Sequence, residues 1–376
     1  MTDVVVYGPL RHSALLARVL GVPEAELTLR PATLPDRALQ VAEPDDGTAL
    51  AVAREGAAAP AALLAGLSRD RQDRLAFFAG GMGLELRRAT VEVSGARTEA
   101  LVPLPAEGRR AGASPWREQA WRPRWAALWL RAADEAMGYH GRFSADALAR
   151  RMPMILARAN SRLAASGGAP AQVRSATPAD SVEVLSVESP HAEYFVTRAY
   201  DLRHPTFDGG TGEAVRREVF VAMDAAIVLP YDPGRDRVLM VEQFRMGPFG
   251  RGDPRPWTLE PVAGRVDPGE TPEAAARREC LEETGVALDR LEPIAKYYCS
   301  PGCSTEFFHN FVGICALPET AKGQGGLATE HEDIRTHVLE FEAAMELVAS
   351  GEANVGPLVM ALIWLSRERA RLRAAA

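Results

Sequence analysis

Three glutamates lie close together in this 376-residue chain and give its clearest sign of chemistry. Glu279 and Glu283 are four residues apart, and Glu282 lies three residues after Glu279. In a helix this spacing places the three carboxylates on one face, where like charges repel one another. A divalent cation between them would offset that repulsion, and a site made only of oxygen ligands favours Mg²⁺ or Mn²⁺. The segment therefore predicts a helix that carries a metal site.

The residues around the glutamates indicate where this helix begins and ends. Thr271 can cap the free backbone amides, and Pro272 is tolerated in the first turn. Glu273 is favourable near the positive end of the helix dipole, and Gly285 is a typical stop. We therefore expect a helix between Thr271 and Gly285, preceded by a glycine loop that starts at Gly264.

The whole segment resembles the Nudix box, the signature of hydrolases that cleave a nucleoside diphosphate linked to another group. Gly264 and Glu270 precede the run Arg278-Glu279-Cys280-Leu281-Glu282-Glu283-Thr284-Gly285-Val286, in which Cys280 fills the hydrophobic position. The alternative is a solvated acidic helix, against which the fixed spacing and the helix signals argue. The resemblance implies that Glu279, Glu283 and the Ala263 carbonyl bind Mg²⁺. It also implies that Glu282 is a third carboxylate and that Arg278 orients the helix by pairing with a neighbouring glutamate.

Further motifs are similar to those of ADP-ribose pyrophosphatases and cover nearly all of residues 185 to 370. They occupy residues 214–220, 241–245, 259–264, 300–302 and 330–334. Pro301 marks the ADP-ribose branch among Nudix proteins. The resemblance implies Mg²⁺-dependent hydrolysis of ADP-ribose to AMP and ribose 5-phosphate. In it, Glu330 is the general base and Glu332 a further ligand among two or three metal ions. A solvated acidic turn is the other interpretation of the segment that contains Glu330.

The same resemblance implies a set of substrate contacts. Arg245 would pair with a phosphate oxygen, for which a guanidinium fork has suitable geometry. Tyr194 and Phe195 would stack on adenine, in a segment exchanged between the subunits of a homodimer. The alternatives are an aromatic pair in the core and ordinary surface charges. The remaining substrate-binding positions carried over are Arg217, Glu218, Arg265, Ser300 and Glu306.

One departure from the family pattern leaves more than one substrate consistent with the sequence. Some relatives have a second basic residue shortly after the Arg-Arg-Glu segment, whereas this chain has Val221-Ala222-Met223 there. One contact to the terminal ribose or phosphate is then missing, so GDP-mannose and related sugar nucleotides remain alternatives. A sensor that binds the nucleotide without turnover is a further alternative, against which the retained Glu330 argues.

Composition and charge exclude several other classes of protein. With 47% hydrophobic and 25% charged residues, the chain has the composition of an ordinary soluble protein. Its net charge of −7, with arginines spread along the chain, argues against a nucleic-acid partner. The start of the chain lacks a secretion signal, and the apolar run 355–365 is too short to span a bilayer. We therefore expect a cytoplasmic protein with reduced cysteines. Zinc at Cys299, Cys303 and His309 would lack a fourth ligand.

The pattern of strands and helices predicts two α/β domains joined by a helical connector. We expect a first domain over residues 1–110, the connector over 111–170, and a Nudix domain over 171–376 with an α/β/α sandwich and a mixed sheet. In the connector, Trp121, Trp125 and Trp129 recur every four residues and form one stripe, which is more typical of a core or an interface than of a ligand platform.

The start of the chain, Val4 to Arg11, resembles the strand and loop of γ-glutamylcyclotransferase-like proteins. The resemblance implies a small mixed domain similar to a β-barrel, in which a loop binds a carboxylate through backbone amides. The implied loop positions are Tyr7, Gly8, Leu10 and Arg11. Ala79 stands where that family has its acid/base glutamate, and alanine cannot transfer a proton; Glu85 lies six residues further on. We therefore expect a binding or scaffold role for this domain rather than cyclotransferase activity.

Overall fold

The computed structural model describes residues 2–319 and 333–375. The chain forms two compact units, Met1–Ala176 and Thr177–Ala376, each containing strands and helices. The two-domain α/β organisation expected from the sequence is therefore present. Within the described ranges, none of the helices combines the length and the apolar character that crossing a membrane requires.

The first unit is built on a ring of strands. Its strands are β1 (Thr2–Tyr7), β2 (Arg30–Glu43), β3 (Ala49–Leu67), β4 (Leu84–Val93), β5 (Ala96–Pro105) and β6 (Arg110–Pro115). Strand β1 pairs with β3 and β5, β2 pairs with β3 and β4, and β4 pairs with β5, so these five strands close into a ring. The β1–β5 pair is parallel and the others are antiparallel. The sheet is therefore mixed.

Four helices complete the first unit: α1 (Ser13–Leu20), α2 (Arg69–Gly81), α3 (Glu118–Met137) and α4 (Ala145–Ala165). The tryptophan stripe lies on α3, and Trp121, Trp125 and Trp129 are all buried. Helix α3 packs against α1 and α4, and α4 packs against α2. The helices expected to be a connector thus lie within the first unit, because burying the indoles requires apolar partners from its other helices.

The second unit contains two sheets. The smaller is antiparallel and contains β7 (Glu183–Ala192), β8 (Val196–Arg203) and β9 (Val215–Val221). The larger has seven strands: β10 (Asp224–Asp232), β11 (Arg237–Phe244), β12 (Trp257–Glu260), β13 (Val262–Arg265), β14 (Arg290–Tyr298), β15 (Phe307–Ile314) and β16 (Arg335–Glu340). Strands β10 and β15 are parallel, whereas the other pairs are antiparallel, so the larger sheet is mixed.

Three helices cover the two faces of the larger sheet: α6 (Pro272–Thr284), α7 (Phe341–Ser350) and α8 (Gly356–Ala374). The short helix α5 (Met246–Arg251) follows β11 and has no buried residues. On β11, Leu239 packs with residues of α6, whereas its neighbour Met240 packs with residues of α7 and α8. Successive residues of a strand face opposite sides, so each face has its own core. The expected α/β/α sandwich with a mixed sheet is confirmed, and it places α6 beside β13.

Candidate active site

Helix α6 begins and ends at the residues that the sequence indicated. The Thr271 hydroxyl accepts a hydrogen bond from the Ala274 amide at 3.2 Å, which caps the first turn. At the other end Gly285 has a φ of 70°, and its amide donates to the Leu281 carbonyl at 2.9 Å. A positive φ favours glycine there, since it has no Cβ. The predicted carboxylate helix is confirmed.

We expect Thr271→Ala to lower the free energy of unfolding by about 1 kcal/mol, because it removes this side-chain cap. Thr271→Ser keeps a hydroxyl at the same position and should stay close to the parent protein. Urea unfolding of the three proteins measures the difference. Equal stability of the alanine and serine variants would contradict a capping role.

The three glutamates of α6 differ in burial. Glu283 is buried, the Glu279 side chain is 17% exposed, and the Glu282 side chain is 34% exposed. Cys280 is fully buried in the core between α6 and the sheet, as its hydrophobic position predicts. Burial raises the pKa of its thiol to about 11. Small apolar side chains therefore pack α6 against the sheet, and its three carboxylates differ in how far they are exposed to solvent.

Gly264 provides the space for the Glu279 carboxylate. In β13, Gly264 lies opposite Ala226 of β10, with Ala263 beside it opposite Ile227. A Cβ built on Gly264 would lie 1.9 Å from both Cδ and Oε1 of Glu279, so this carboxylate lies directly over the glycine backbone. The site thus brings carboxylate oxygens close to the strand that contains the Ala263 carbonyl. An oxygen-only set of this kind suits a hard divalent cation.

Arg278 ties the glycine loop to the helix. Its Nε and Nη2 donate to the two oxygens of Glu270 at 3.0 and 2.9 Å, and Nη2 also donates to the Arg265 carbonyl at 3.1 Å. Its Nη1 donates to Glu279 at 2.7 Å and to Glu282 at 3.1 Å. Hydrogen bonds to Glu270, together with the charge of Glu279, raise the pKa of Arg278 above its ordinary value. Arg278 thus pairs with three glutamates at once, and its orienting role stays a prediction.

Arg245 is held by Glu260, a residue for which the sequence predicts no role. Its Nε and Nη2 donate to the two oxygens of Glu260 at 2.8 and 2.6 Å, and the Thr258 hydroxyl donates to Glu260 at 2.7 Å. Glu260 is buried, whereas the Arg245 side chain is 42% exposed. In the sequence these two residues are marked only by their motifs, since Arg245 lies in 241–245 and Glu260 lies in 259–264. The pair fixes the direction of a guanidinium that still reaches the surface.

Four of the positions predicted to bind substrate lie on and beside the three-stranded sheet: Tyr194, Phe195, Arg217 and Glu218. Tyr194 is 65% exposed and Phe195 is 50% exposed, and the Phe195 ring lies 4.9 Å from that of Phe220. The interpretation of this pair as core is therefore wrong. Arg217 and Glu218 lie on β9 with exposed side chains, and Arg217 Nη1 donates to the Arg216 carbonyl at 3.0 Å.

Backbone hydrogen bonds join the end of β9 to the Ser-Pro-Gly turn. The Phe220 amide donates to the Cys303 carbonyl at 2.8 Å, and the Thr305 amide donates to the Phe220 carbonyl at 3.0 Å. In the turn, Ser300 Oγ lies 3.1 Å from the Cys303 sulfur, and the Cys299 thiol donates to Glu306 at 3.0 Å. The structure thus brings the strand that carries Arg217 and Glu218 close to Ser300 and Glu306.

The structure describes only some of the remaining predicted positions. Glu330 and Glu332 lie outside the described residues. Of the three residues considered for zinc, His309 is engaged with an aspartate, since its Nε2 lies 2.9 Å from Asp224 Oδ2. Among the described residues no three histidine, cysteine, aspartate or glutamate side chains are already arranged around a metal position, and this includes the three glutamates of α6.

The loop that follows β1 in the first unit is largely buried. Tyr7 and Leu10 are each 1% exposed, and Gly8 has a φ of 58°. A Cβ on Gly8 would lie 2.4 Å from that of Ala49, so glycine is required there. Burial raises the pKa of the Tyr7 hydroxyl. Tyr7 and Leu10 therefore belong to the core of this unit, whereas Arg11 remains partly exposed.

The sandwich and the carboxylate helix define the class of the protein. A family model described as "NUDIX domain" matches residues 222–359, and the chain belongs to the Nudix family as a Nudix hydrolase. It is 38% identical over 192 residues to the ADP-ribose pyrophosphatase of Escherichia coli (strain K12), covering 51% of this chain and 91% of that protein.

Two further relatives show the range of the family. The ADP-ribose pyrophosphatase of Haemophilus influenzae is 36% identical over 194 residues, covering 51% of this chain and 89% of that protein. The GDP-mannose pyrophosphatase of Enterobacter sp. (strain 638) is 31% identical over 188 residues, covering 49% of this chain and 94% of that protein. The chain thus spans almost the whole length of these relatives, which match about half of it.

Proposed function

We propose that this protein hydrolyses the pyrophosphate of ADP-ribose to AMP and ribose 5-phosphate with Mg²⁺, as a cytoplasmic homodimer. The observation that carries the proposal is the Glu279 carboxylate, which Arg278 holds over the backbone of Gly264. Two relatives named ADP-ribose pyrophosphatase, at 38% and 36% identity, support the choice of substrate.

Glu279, Glu283 and the Ala263 carbonyl would hold the first Mg²⁺, with Glu282 and Glu332 available for a second or third ion. Bound Mg²⁺ neutralises charge on a pyrophosphate and lowers the pKa of water. The protein's own contribution is to hold the Glu279 and Glu282 carboxylates in place before substrate arrives. Arg278 donates to both, and its bond to Glu270 ties it to the glycine loop.

The remaining roles concern the water and the nucleotide. Glu330 takes the proton of the attacking water, as the family resemblance implies. Arg245 and Arg265 contact the phosphates, and Arg217, Glu218, Ser300 and Glu306 contact the rest of the substrate. Tyr194 and Phe195 stack on the adenine bound in the partner subunit's site. Both side chains are exposed in this chain, so their rings are accessible for stacking.

An assay with ADP-ribose, GDP-mannose and NADH, each with Mg²⁺ or with EDTA, tests this function. We expect AMP and ribose 5-phosphate from ADP-ribose, at a higher kcat/KM than for the other two substrates, and no product in EDTA. GDP-mannose is the second candidate, because Val221-Ala222-Met223 lacks a basic residue and a GDP-mannose pyrophosphatase is among the relatives. Binding of ADP-ribose without AMP release would instead indicate a sensor.

We expect Glu330→Gln to lower kcat for ADP-ribose about a hundredfold, since the amide cannot accept the proton of the attacking water. Glu352→Gln alters an exposed carboxylate between α7 and α8 and should leave kcat unchanged. Steady-state kinetics on both variants provides the comparison. An unchanged rate in Glu330→Gln would remove this residue from the mechanism.

For residues 1–110 we propose a γ-glutamylcyclotransferase-like domain with a binding or scaffold role. Ala79, at the position of that family's acid/base residue, is fully buried on α2, and Glu85 lies on β4 with an exposed side chain. The full-length protein should therefore release no 5-oxoproline from γ-glutamyl peptides. Release of 5-oxoproline that Glu85→Gln abolishes would contradict this assignment.

A further inference from the structure

A cavity of about 410 Å³ lies in the first unit, where β2 and β3 meet the start of α3. A neighbouring cavity of about 610 Å³ shares Arg117 and Glu118 with it. These volumes are in the range of small-molecule sites. We propose that the smaller cavity, here called the arginine cavity, binds a small organic anion, in which a carboxylate or phosphate is joined to a short apolar body.

The charges that line the arginine cavity favour an anion. Arg11, Arg37 and Arg117 contribute three guanidinium groups, and Glu118 contributes one carboxylate. Arg11 Nη1 lies 3.9 Å from Glu118, and Arg122 of the neighbouring cavity lies 3.3 Å from the same carboxylate. Even with Glu118 ionised, the lining residues have a net positive charge. Guanidinium groups bind carboxylate and phosphate oxygens through paired hydrogen bonds.

The start of α3 adds donors to the same place. Arg117 is the N-cap of this 20-residue helix, and its side chain makes no capping hydrogen bond. The first turn of a helix carries partial positive charge and backbone amides that suit an anion. Trp116, which also lines the cavity, is only 8% exposed and therefore adds a buried aromatic side chain to the lining.

An irregularity between two strands lies next to one of the arginines that line the cavity. The β2–β3 register shifts between Pro35 and Arg37, and Asp36 has a φ of 53°. The Gly56 amide donates to Asp36 Oδ1 at 2.9 Å, which holds the bulge. Arg37 Nη1 donates to the Ala51 carbonyl at 3.0 Å, which holds this side chain in place.

Part of the lining is apolar. Residues 57–60, which are three alanines and a proline on β3, line the cavity together with Leu39. Such a wall offers contact to a few methylene groups but no hydrogen-bond partners from side chains. The ligand therefore has one charged end and a short aliphatic remainder. Arg11 comes from the loop after β1, whose Tyr7 and Leu10 are buried in the core and do not line the cavity. The site does not depend on nucleotide hydrolysis.

Isothermal titration calorimetry of the full-length protein, at constant ionic strength, tests the proposal with inorganic phosphate and with n-butyrate. Saturable binding of at least one probe is expected, and the probe that binds identifies the anionic group. Arg37→Gln and Arg117→Gln should each weaken binding about tenfold, because each removes one charge-assisted hydrogen bond to the ligand. Arg88→Gln, an exposed arginine on β4 away from the cavity, should bind as the parent protein does. n-Butylamine, with its charge reversed, should not bind.

Three results would overturn the proposal: no saturable binding of either anion, binding unchanged in both Arg37→Gln and Arg117→Gln, or equal binding of n-butylamine. Because phosphate can also bind where nucleotides do, a phosphate signal that is unaffected by these two variants counts against the arginine cavity. Circular dichroism shows whether each variant is folded. Should Arg37→Gln unfold through loss of its contact with Ala51, the exposed Arg117 decides the outcome. Release of AMP from ADP-ribose is measured separately, so the two proposals fail independently.

Discussion

Gly264→Ala should lower kcat for ADP-ribose roughly a thousandfold, equivalent to about 4 kcal/mol in the activation barrier. The new Cβ would overlap Cδ and Oε1 of Glu279, which lie 1.9 Å from its position. These atoms are at the end of a flexible side chain, so the carboxylate can swing away while the backbone stays in place. The carboxylate would then leave the position in which Arg278 holds it beside β13. Metal-dependent activity is lost in consequence, whereas the fold is kept.

The test of Gly264→Ala combines kinetics with stability. The free energy of unfolding in urea should change by less than about 1 kcal/mol, because only one side chain moves. Gly247→Ala is the matched control, since a Cβ there would meet no atom within 4 Å. Two outcomes for Gly264→Ala would contradict this explanation. One is a loss of activity that is due only to unfolding, and the other is a kcat equal to that of the parent protein.

Arg278→Ala is expected to reduce both stability and activity. Arg278 donates to Glu270, Glu279, Glu282 and the Arg265 carbonyl, and its side chain is only 30% exposed. Removing it leaves Glu270 and Glu279, each 17% exposed, without this cation. We expect a loss of about 2–3 kcal/mol in the free energy of unfolding, as for hydrogen bonds between charged groups. The kcat should fall roughly a hundredfold, as when residues that orient metal ligands are removed.

Two further variants separate charge from geometry at this position. Arg278→Lys keeps the positive charge but loses the planar fork, so it should recover part of the stability and little of the activity. Arg367→Ala removes an exposed arginine from α8 and should change neither quantity. Activity in Arg278→Lys equal to that of the parent protein would show that charge alone suffices and would contradict a positioning role.

The limits of the carboxylate helix could be predicted because the responsible interactions are local. Thr271 and Ala274 are three residues apart, and Gly285 and Leu281 are four apart, so sequence spacing alone brings them together. The burial of Cys280 and of the tryptophan stripe follows from helical periodicity in the same way. The pairing of Glu260 with Arg245 was not predictable, because Glu260 lies on β12 whereas Arg245 follows β11.

The sequence by itself determined the family, the carboxylate helix with its two ends and the α/β/α sandwich. These depend on spacing within one segment or on the alternation of residues along a strand. Only the tertiary structure decided that Glu279 lies over Gly264, that Glu260 holds Arg245, and that Arg11, Arg37 and Arg117 line one cavity. Contacts of this kind depend on how strands pair and helices pack, so residues far apart in the chain meet only after both have occurred.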